Sequence, residues 1–260
     1  MRASRDPVTL AVDIGGTGIK AMRLDGRGRP ISERVREKTP QPATPARILR
    51  VIADLAARLG DFDRVSVGFP GVVDQGTIKS AANLHPSWIG FRLRERLARL
   101  LHRPTRVAND ADVQGLGIVE GRGAELVITL GTGVGSALFI DGRHVHLELG
   151  HHPFHRGKTY EDLLGDRKLK RIGVERWNHR VRRAVDMLLQ TFIVRRLYLG
   201  GGNARLVEGR LPPQVRVASN LAGLLGGIRL WELESAAEHR PPPTSRRRAR
   251  RRRSTSRSAG

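Results

Sequence analysis

The sequence predicts a mixed α/β protein whose two related halves face a cleft. Apolar runs typical of buried strands alternate with amphipathic helical segments, and the strands end in glycines or acids. A strand–glycine–strand unit at residues 8–25 is used again at 125–145, which indicates that the second half repeats the first. Because ligands of open α/β sheets bind at the carboxyl ends of the strands, we expect the functional site at those ends.

The first half is predicted to contain one clear helix and several buried strands. The helix has well-defined ends, since Thr44 is a candidate cap, Pro45 suits the first turn and Gly60 can close the last one. Its apolar side chains recur at helical spacing and form one buried face. The strands are predicted at 8–14, 21–25, 64–73 and 105–110.

The second half is predicted to follow the same plan. A strand at 125–130 runs into a glycine-rich turn, and the segment 136–145 is expected to be its hairpin partner, with a turn near Asp141-Gly142. The remaining predicted elements are a long helix near 176–193, a short strand at 195–199 and a last, small-residue helix at 219–231.

Composition excludes several classes of protein. The chain of 260 residues has no Cys, so it contains no disulfide, no thiolate nucleophile and no Cys-ligated zinc. No apolar run is long enough to span a membrane, and the first residues lack the apolar centre of a signal peptide. We therefore expect a cytoplasmic protein without a membrane partner.

The formal net charge is +22, because 47 Lys and Arg residues outnumber 25 Asp and Glu residues. The segment 241–260 alone holds eight Arg and no acid, and it has no apolar periodicity that would support a fold. We expect this segment to be a disordered tail. Two roles stay open for it: a solvated appendage, or a nonspecific contact with a polyanion.

Two Gly-Thr-rich turns follow apolar strands, DIGGTG at 13–18 and GTGVG at 131–135. Such turns let backbone N–H groups converge on phosphate oxygens, since glycine has no Cβ to obstruct them. Ordinary hairpin turns use the same residues, so the matching pair is a stronger indication of phosphate binding than either turn alone. Lys20, just beyond the first turn, is either a solvated strand residue or a further phosphate contact.

The segment Asn109-Asp110-Ala111-Asp112 places two carboxylates and an amide at the end of a strand. A carboxylate at this point can accept the proton of an attacking hydroxyl. Asn and Asp also cap helices very often. The two interpretations are compatible if Asp112 caps the helix and Asp110 points into the cleft.

Further polar side chains lie between 144 and 161. Glu148, His151 and Glu161 combine two carboxylates with an imidazole, a set suited to the hydroxyls of a sugar. The histidines of this region leave a metal site open as an alternative, although their irregular spacing and the lack of Cys favour a site without metal. These histidines are His144, His146, His151, His152 and His155.

Eight phrases in order resemble the ROK family of sugar kinases, over about residues 8–235. They are DIGGTGIK (13–20), TPQPATP (39–45), VGFPGVV (67–73), SAANLHPSWIG (80–90), NDAD (109–112), TLGTGVGSAL (129–138), ELGH (148–151) and LGGGNA (199–204). ROK sugar kinases usually have NDAN where this chain has NDAD. The second and fourth phrases are similar to those of the polyphosphate-using branch, and the Cys-rich zinc motif common in the family is absent.

The resemblance implies a two-domain, actin-like (ribonuclease H-like) sugar kinase fold, with sugar and phosphate donor in the cleft between the domains. The implied N-terminal α/β domain is 1–112, completed by the helix near 219–235, and the implied C-terminal α/β domain is 113–218. The implied reaction moves a phosphoryl group from polyphosphate, with ATP as a second candidate donor, to the 6-hydroxyl of glucose. Mg²⁺ is the implied cofactor, and a homodimer is the expected assembly.

Roles of single residues follow from the same resemblance. Asp110 is the implied general base, and Asp13 is implied to orient Mg²⁺ through water. The implied sugar ligands are Asn83, Asn109, Glu148, His151 and Glu161. The expected donor-binding residues are Gly15, Gly16, Thr17, Lys20, Thr132, Gly133, Gly201 and Gly202.

Two alternatives stay open at this point. One is an ATP-dependent ROK kinase of another hexose or an amino sugar, and the other is a sugar-binding ROK protein without catalysis. DNA-binding repressors of the family carry a helix-turn-helix domain ahead of the first kinase strand. Only about seven residues precede that strand here, so we do not expect such a repressor.

Overall fold

The computed structural model describes residues 6–81, 84–145, 147–219 and 222–232. Asn83, His146 and the predicted tail at 241–260 lie outside the described residues. In chain order the strands are β1 (Thr9–Ile14), β2 (Gly18–Leu24), β3 (Val35–Lys38), β4 (Arg64–Phe69), β5 (Val73–Asp74), β6 (Thr77–Ile78), β7 (Thr105–Asn109), β8 (Ala124–Leu130), β9 (Val134–Ile140), β10 (Arg143–Val145), β11 (Pro153–His155), β12 (Lys158–Thr159), β13 (Arg196–Gly200) and β14 (Val215–Val217).

The helices take up the connections between these strands. They are α1 (Pro45–Leu59), α2 (Leu93–Leu101), α3 (Asp110–Leu116), α4 (Tyr160–Leu164), α5 (Asp166–Ile172), α6 (Val174–Thr191) and α7 (Ala222–Leu225). Two short 3₁₀ helices lie at Pro86–Trp88 and Ala204–Leu206. The predicted long helices and central strands are confirmed, whereas α7 is shorter than the predicted helix at 219–231, part of which lies outside the described residues.

The two halves contain five-stranded sheets of the same topology. The first has the order β3-β2-β1-β4-β7, with β1, β2 and β3 antiparallel and β1, β4 and β7 parallel. The second has the order β10-β9-β8-β13-β14, again with an antiparallel hairpin side and a parallel side. The predicted repeat of a strand–glycine–strand unit is therefore confirmed, since β1-β2 and β8-β9 occupy equivalent places.

Helix α1 covers the first sheet because its apolar residues share one face. Ile48, Ile52 and Leu55 are fully buried against the sheet. The helix ends at Gly60, whose φ of 79° lies in the region that favours glycine. Thr44 occupies the N-cap position as predicted, but its side chain makes no capping hydrogen bond, so the start of the helix depends on Pro45 and packing.

Helix α6 covers the second sheet in the same way. Trp177, Val181 and Val185 form its buried stripe, while its other face stays exposed. The buried indole of Trp177 donates to the carbonyl oxygen of Leu164 at 2.8 Å, which ties α6 to the end of α4. The two sheets thus have separate hydrophobic cores.

Helix α3 lies where the two sheets meet. It packs against β4 and β7 of the first sheet and against β8 and β9 of the second. Two glycines allow this approach because they have no side chain. A Cβ on Gly115 would lie 2.4 Å from the Phe139 ring, and a Cβ on Gly135 would lie 3.0 Å from the Cβ of Ala111. The N-terminus of α3 is thereby held between the two halves.

The chain returns to the first sheet at its described C-terminal end. The buried Ser66 hydroxyl on β4 donates to the carbonyl oxygen of Gly227 at 2.6 Å and accepts the indole N–H of Trp231 at 2.8 Å. The guanidinium groups of Arg64 and Arg106 lie over the Trp231 ring, at 5.0 and 4.2 Å from its centroid. These contacts attach the segment after α7 to β4 and β7.

Replacing Ser66 by Ala is expected to lower the free energy of unfolding by about 1–3 kcal/mol, because the carbonyl of Gly227 and the indole of Trp231 would both lose a partner. Urea denaturation measures this difference. Thr191→Ala, which removes an exposed hydroxyl bonded within its own helix, is the control and should stay within about 0.5 kcal/mol of the wild type. A Ser66→Ala variant as stable as that control would contradict the prediction.

No helix among the described residues combines the length and the apolar character that a membrane crossing requires.

Candidate active site

The junction between β7 and α3 places Asn109 and Asp110 at the carboxyl edge of the first sheet. Asn109 is the N-cap of α3, and its Oδ1 accepts the backbone N–H groups of Ala111 (2.8 Å) and Asp112 (3.3 Å). Its Nδ2 donates to the carbonyl oxygen of Gly71 at 3.0 Å, which fixes the loop after β4. Asn109 therefore orients the first turn of the helix that begins at Asp110.

The prediction that Asp112 caps this helix is wrong. Asp112 lies inside the first turn, so its own backbone N–H needs a capping acceptor. The side-chain oxygen of Asn109 is that acceptor. The Asp112 carboxylate instead contacts Nε2 of His144 at 2.7 Å, with both side chains largely buried. This contact joins α3 to β10 of the second sheet, and the sequence placed His144 only in a cluster of histidines.

Asp110 lies close to two further carboxylates, Asp13 and Asp112, and to one cation, Lys20. Asp13 on β1 and Lys20 on β2 are directly paired in the sheet register, and the Lys20 ammonium contacts Oδ2 of Asp13 at 2.6 Å. Lys20 is therefore ion-paired and not simply a solvated strand residue. A Cβ on Gly68 of β4 would lie 3.3 Å from the Cα of Asp110, so this glycine makes room for the start of α3.

The surroundings of Asp110 favour its protonated form. Burial is the main cause, the negative charge of Asp13 adds to it and that of Asp112 adds less, and together they raise the pKa of Asp110 from 3.8 to about 7. The N–H of Ala111, which donates to Oδ1 of Asp110 at 2.8 Å, and the charge of Lys20 partly oppose this rise. A carboxyl group with a pKa near neutrality is well matched to general-base catalysis.

The first glycine turn is closed by its own backbone and by a residue from outside it. Gly15 N–H donates to the carbonyl oxygen of Gly18 at 3.1 Å. The buried Thr39 hydroxyl donates to the carbonyl oxygen of Gly15 at 2.5 Å, and the Thr39 N–H donates to that of Thr17 at 3.5 Å. Sequence reasoning assigned no role to Thr39, although it begins the phrase at 39–45.

The second glycine turn is held from two directions. The N–H of Asp166, the first residue of α5, donates to the carbonyl oxygen of Gly131 at 2.8 Å, and Nδ2 of Asn203 approaches the same oxygen at 3.4 Å. Gly201 has a φ of 84°, and a Cβ there would lie 2.4 Å from the carbonyl oxygen of Leu130. The loop at 200–202 thus packs directly against the start of the second turn.

The predicted sugar ligands of the second half surround the start of β9. The carboxylate of Glu161 accepts the N–H of Val134 at 3.3 Å, and the N–H of Glu161 donates to the carbonyl oxygen of Gly150 at 2.9 Å. Glu148 Oε1 accepts the Gly150 N–H at 3.1 Å. His151 follows directly and is exposed.

The structure thus brings the predicted residues together in two groups that meet at α3. Asp13, Lys20 and Asp110 form the group of the first sheet. The second group comprises the glycine turn at 131–135, the loop at 200–202, Glu148, His151 and Glu161. The groups meet where Gly135 approaches Ala111, the neighbour of Asp110. Within the described ranges, no group of three or more Asp, Glu or His side chains is arranged to hold a metal ion.

The sequence of residues 9–161, more than half of the chain, matches the ROK family model. The chain belongs to the ROK family. The polyphosphate glucokinase of Mycobacterium tuberculosis (strain ATCC 25618 / H37Rv) is 32% identical to this ROK protein over 240 residues, which cover 84% of this chain and 88% of that one. The glucokinase of Streptomyces coelicolor is 33% identical over 154 residues, or 55% of this chain and 46% of that one.

Solved structures agree with this assignment. The crystal structure of the inorganic polyphosphate/ATP-glucomannokinase from Arthrobacter sp. strain KM has a TM-score of 0.81 and 31% identity, covering 88% of this chain and 100% of that one. A ROK family glucokinase from Streptomyces griseus shares the fold with a TM-score of 0.71 and 24% identity, covering 86% of this chain and 98% of that one. The family resemblance, the predicted fold class and the assignment to the kinases are therefore confirmed.

Proposed function

We propose that this ROK protein transfers a phosphoryl group from polyphosphate, and also from ATP, to the 6-hydroxyl of glucose. The observation that carries the proposal is the partly buried Asp110, whose pKa is raised to about 7 and which lies where the two halves of the molecule meet. The choice of donor and sugar is supported by the names of two relatives, a polyphosphate glucokinase and an inorganic polyphosphate/ATP-glucomannokinase.

Asp110 acts as the general base in this proposal. Its carboxylate accepts the proton of the 6-hydroxyl as the oxygen of that hydroxyl forms a bond to the terminal phosphorus. The bond between that phosphorus and its bridging oxygen breaks, and the leaving group is a polyphosphate shortened by one phosphate, or ADP. Since phosphoryl transfer needs little covalent work from the protein, positioning of the two substrates provides most of the remaining rate enhancement.

The other sugar hydroxyls are assigned to side chains around the same point. Asn83, Glu148, His151 and Glu161 are the proposed ligands, with Asn109 as a weaker one. The Oδ1 of Asn109 already accepts two N–H groups and its Nδ2 already donates once, so one N–H is left for the sugar. Glu148 and His151 are exposed and therefore accessible to a bound sugar.

The donor phosphates are assigned to the two glycine turns. Backbone N–H groups there are the proposed main contacts, since they approach an anion closely where no Cβ intervenes. Lys20 adds a positive charge beside the first turn, where it already pairs with Asp13. The proposed donor-binding residues are Gly15, Gly16, Thr17, Lys20, Thr132, Gly133, Gly201 and Gly202.

Mg²⁺ is the divalent cation of the proposal, and the carboxylates near Asp110 fit it. This ion prefers one or two carboxylates together with phosphate oxygens and water. One oxygen of Asp13 is engaged by Lys20, so the other is the proposed contact to Mg²⁺ through water. When bound, the ion supplies positive charge to the phosphoryl oxygens.

The proposal is tested by measuring glucose 6-phosphate formation with polyphosphate and with ATP separately, both with Mg²⁺ present. We expect turnover with both donors. Mannose, fructose and glucosamine are compared with glucose, and turnover of mannose would extend the acceptor range in line with the glucomannokinase named above. Absence of product with both donors would contradict the proposal.

The pH dependence of kcat/KM for glucose is expected to follow the ionisation of Asp110. The base is active only when ionised, so below its pKa of about 7 the value should fall by about tenfold for each unit of pH. Initial rates at saturating donor across pH 5 to 9 measure the profile. A profile that stays flat from pH 9 down to pH 5 would contradict the raised pKa.

The domain bounds at 112 and 218, the homodimer and the cytoplasmic location stay predictions.

A further inference from the structure

Seven basic side chains lie close to one another on the β11–β12 hairpin, on α5 and on α6. They are called the basic cluster below. Their members are His155, Arg156, Lys158, Lys168, Arg171, Arg180 and Arg183. This cluster is separate from the Asp110 group, and the reaction described above makes no use of it.

The members of the basic cluster are close enough to repel one another. Burial, followed by the charges of Arg171 and Arg180, lowers the pKa of Lys168, to which Asp162 is an opposing acidic neighbour. Burial, followed by the charges of arginines including Arg183, lowers the pKa of His155. The surroundings of Lys168 and His155 therefore favour the neutral forms of both groups. A bound anion would favour their charged forms instead.

Nearby acids are already engaged, and one buried guanidinium nitrogen has no hydrogen-bond partner among the described residues. Asp162 Oδ2 accepts the N–H of Thr159 at 3.0 Å in a capping box, and Asp166 contacts Lys170 at 2.6 Å. The Nη1 of Arg180 is buried and has no hydrogen-bond partner in the part of the chain that the structure describes. A buried guanidinium nitrogen without an acceptor is costly, so this position favours an anionic ligand.

The basic cluster is continuous with the proposed donor site. Helix α5 starts where the N–H of Asp166 donates to Gly131, and a Cβ on Gly165 would lie 3.0 Å from the carbonyl oxygen of Thr132. Lys168 and Arg171 follow on this helix, and Arg171 lies about 7 Å further along its axis than Asp166, at the α-helical rise per residue. Two members of the cluster thus lie on the helix whose first residue contacts the second glycine turn.

The surroundings of the basic cluster favour an anion without bases. Binding of single-stranded nucleic acid typically uses exposed aromatic rings on which bases stack. The aromatic side chains of these elements are buried: Phe154 and Tyr160 stack on each other at 4.6 Å, and Trp177 is fully covered. They present no stacking surface among the residues described here.

We propose that the basic cluster binds the distal part of a long inorganic polyphosphate chain, whose terminal phosphate lies at the second glycine turn. This inference rests on the proposed polyphosphate kinase function and adds the path of the donor outside the cleft. Guanidinium groups suit this ligand because each can bind two phosphate oxygens at once. ATP has a short triphosphate and does not need such a path.

The test removes two exposed arginines from the cluster and two from elsewhere. Arg171→Gln with Arg183→Gln forms the cluster variant, and Arg50→Gln with Arg96→Gln forms a control of equal charge on α1 and α2. The KM values for long-chain polyphosphate, tripolyphosphate and ATP are measured for each at several salt concentrations.

We expect the cluster variant to raise the KM for long-chain polyphosphate by about tenfold, with a weaker dependence on salt, because fewer phosphate contacts are made. The KM for ATP and that for tripolyphosphate should change by less than about twofold, as should every value of the control variant. An equal rise in the KM for long-chain polyphosphate in the cluster and control variants would overturn the proposal, since it would reflect net charge alone. An equally large rise in the KM for ATP in the cluster variant would overturn it as well.

A failure of the proposed function is distinguishable from a failure of this inference. If the wild type phosphorylates glucose with ATP but not with polyphosphate, the proposed donor is wrong. Calorimetric titration of long-chain polyphosphate into the three proteins then decides the inference. Weaker binding in the cluster variant alone supports it, and equal binding in all three overturns it. A larger loss of affinity for a single-stranded oligonucleotide than for polyphosphate would also overturn it.

Discussion

Asp110→Asn is expected to lower kcat for glucose phosphorylation by a factor of about 10² to 10⁴, with little change in the KM for glucose. The amide cannot accept the proton of the 6-hydroxyl. It does keep an oxygen that can accept the N–H of Ala111, which the wild-type carboxylate accepts at 2.8 Å. The start of α3 should therefore be unchanged, and the loss of rate would report the base alone.

The same variant is expected to be more stable than the wild type at neutral and alkaline pH. The pKa of Asp110 is raised on folding from 3.8 to about 7, so the carboxyl is protonated in both states below pH 4 and has no effect there. Above pH 7 it is ionised in both states, and its burial then lowers the free energy of unfolding by up to about 4 kcal/mol. The uncharged Asn side chain does not have this destabilising effect.

Urea denaturation of Asp110→Asn and wild type at pH 4 and pH 8 measures the effect, with Asp54→Asn as a matched control on the exposed face of α1. We expect the gain in the free energy of unfolding only at pH 8 and only for Asp110→Asn. A wild-type kcat in Asp110→Asn would contradict the catalytic role. A loss of stability in this variant would contradict the raised pKa.

Gly201→Ala is expected to disturb the loop at 200–202 and the second glycine turn together. Its φ of 84° disfavours a residue with a Cβ, and that Cβ would lie 2.4 Å from the carbonyl oxygen and 2.7 Å from the nitrogen of Leu130. Because both contacts are with backbone, the loop itself must move. We expect the free energy of unfolding to fall by about 3 kcal/mol and the KM for both donors to rise.

The neighbouring glycine provides a matched control for the loss of stability. A Cβ on Gly202 meets nothing within 4 Å, so Gly202→Ala should leave the free energy of unfolding within about 0.5 kcal/mol of the wild type. The two variants are compared by urea denaturation under the same conditions. Equal stability of Gly201→Ala and Gly202→Ala would show that the close approach to Leu130 does not constrain the loop.

The central strands and the two glycine turns could be predicted from the sequence because their signals are local. Apolar runs that end in glycine identify β1 and β8, and both are buried as expected. Strand β3 carried no such signal, since three of its four residues are exposed at the edge of the sheet. Strand β14 is shorter still, with two of its three residues exposed.

The details of the site could not be predicted because they depend on contacts between distant residues. Asn109 and Asp112 are both good capping residues, and only the backbone geometry of the turn decides in favour of Asn109. Thr39 closes the first glycine turn from 24 positions away. The raised pKa of Asp110 arises mainly from burial and from Asp13 on a different strand, and the neighbouring Asp112 of the same motif makes only a smaller contribution.

The pKa of Asp110 in the free protein is the most direct test of this account. Carbon-13 NMR follows the side-chain carboxyl signal through a pH titration, and its absence in Asp110→Asn assigns it. We expect a midpoint at about pH 7. A midpoint near 4, the ordinary value for an aspartate, would contradict the claim that this site holds a base tuned to neutral pH.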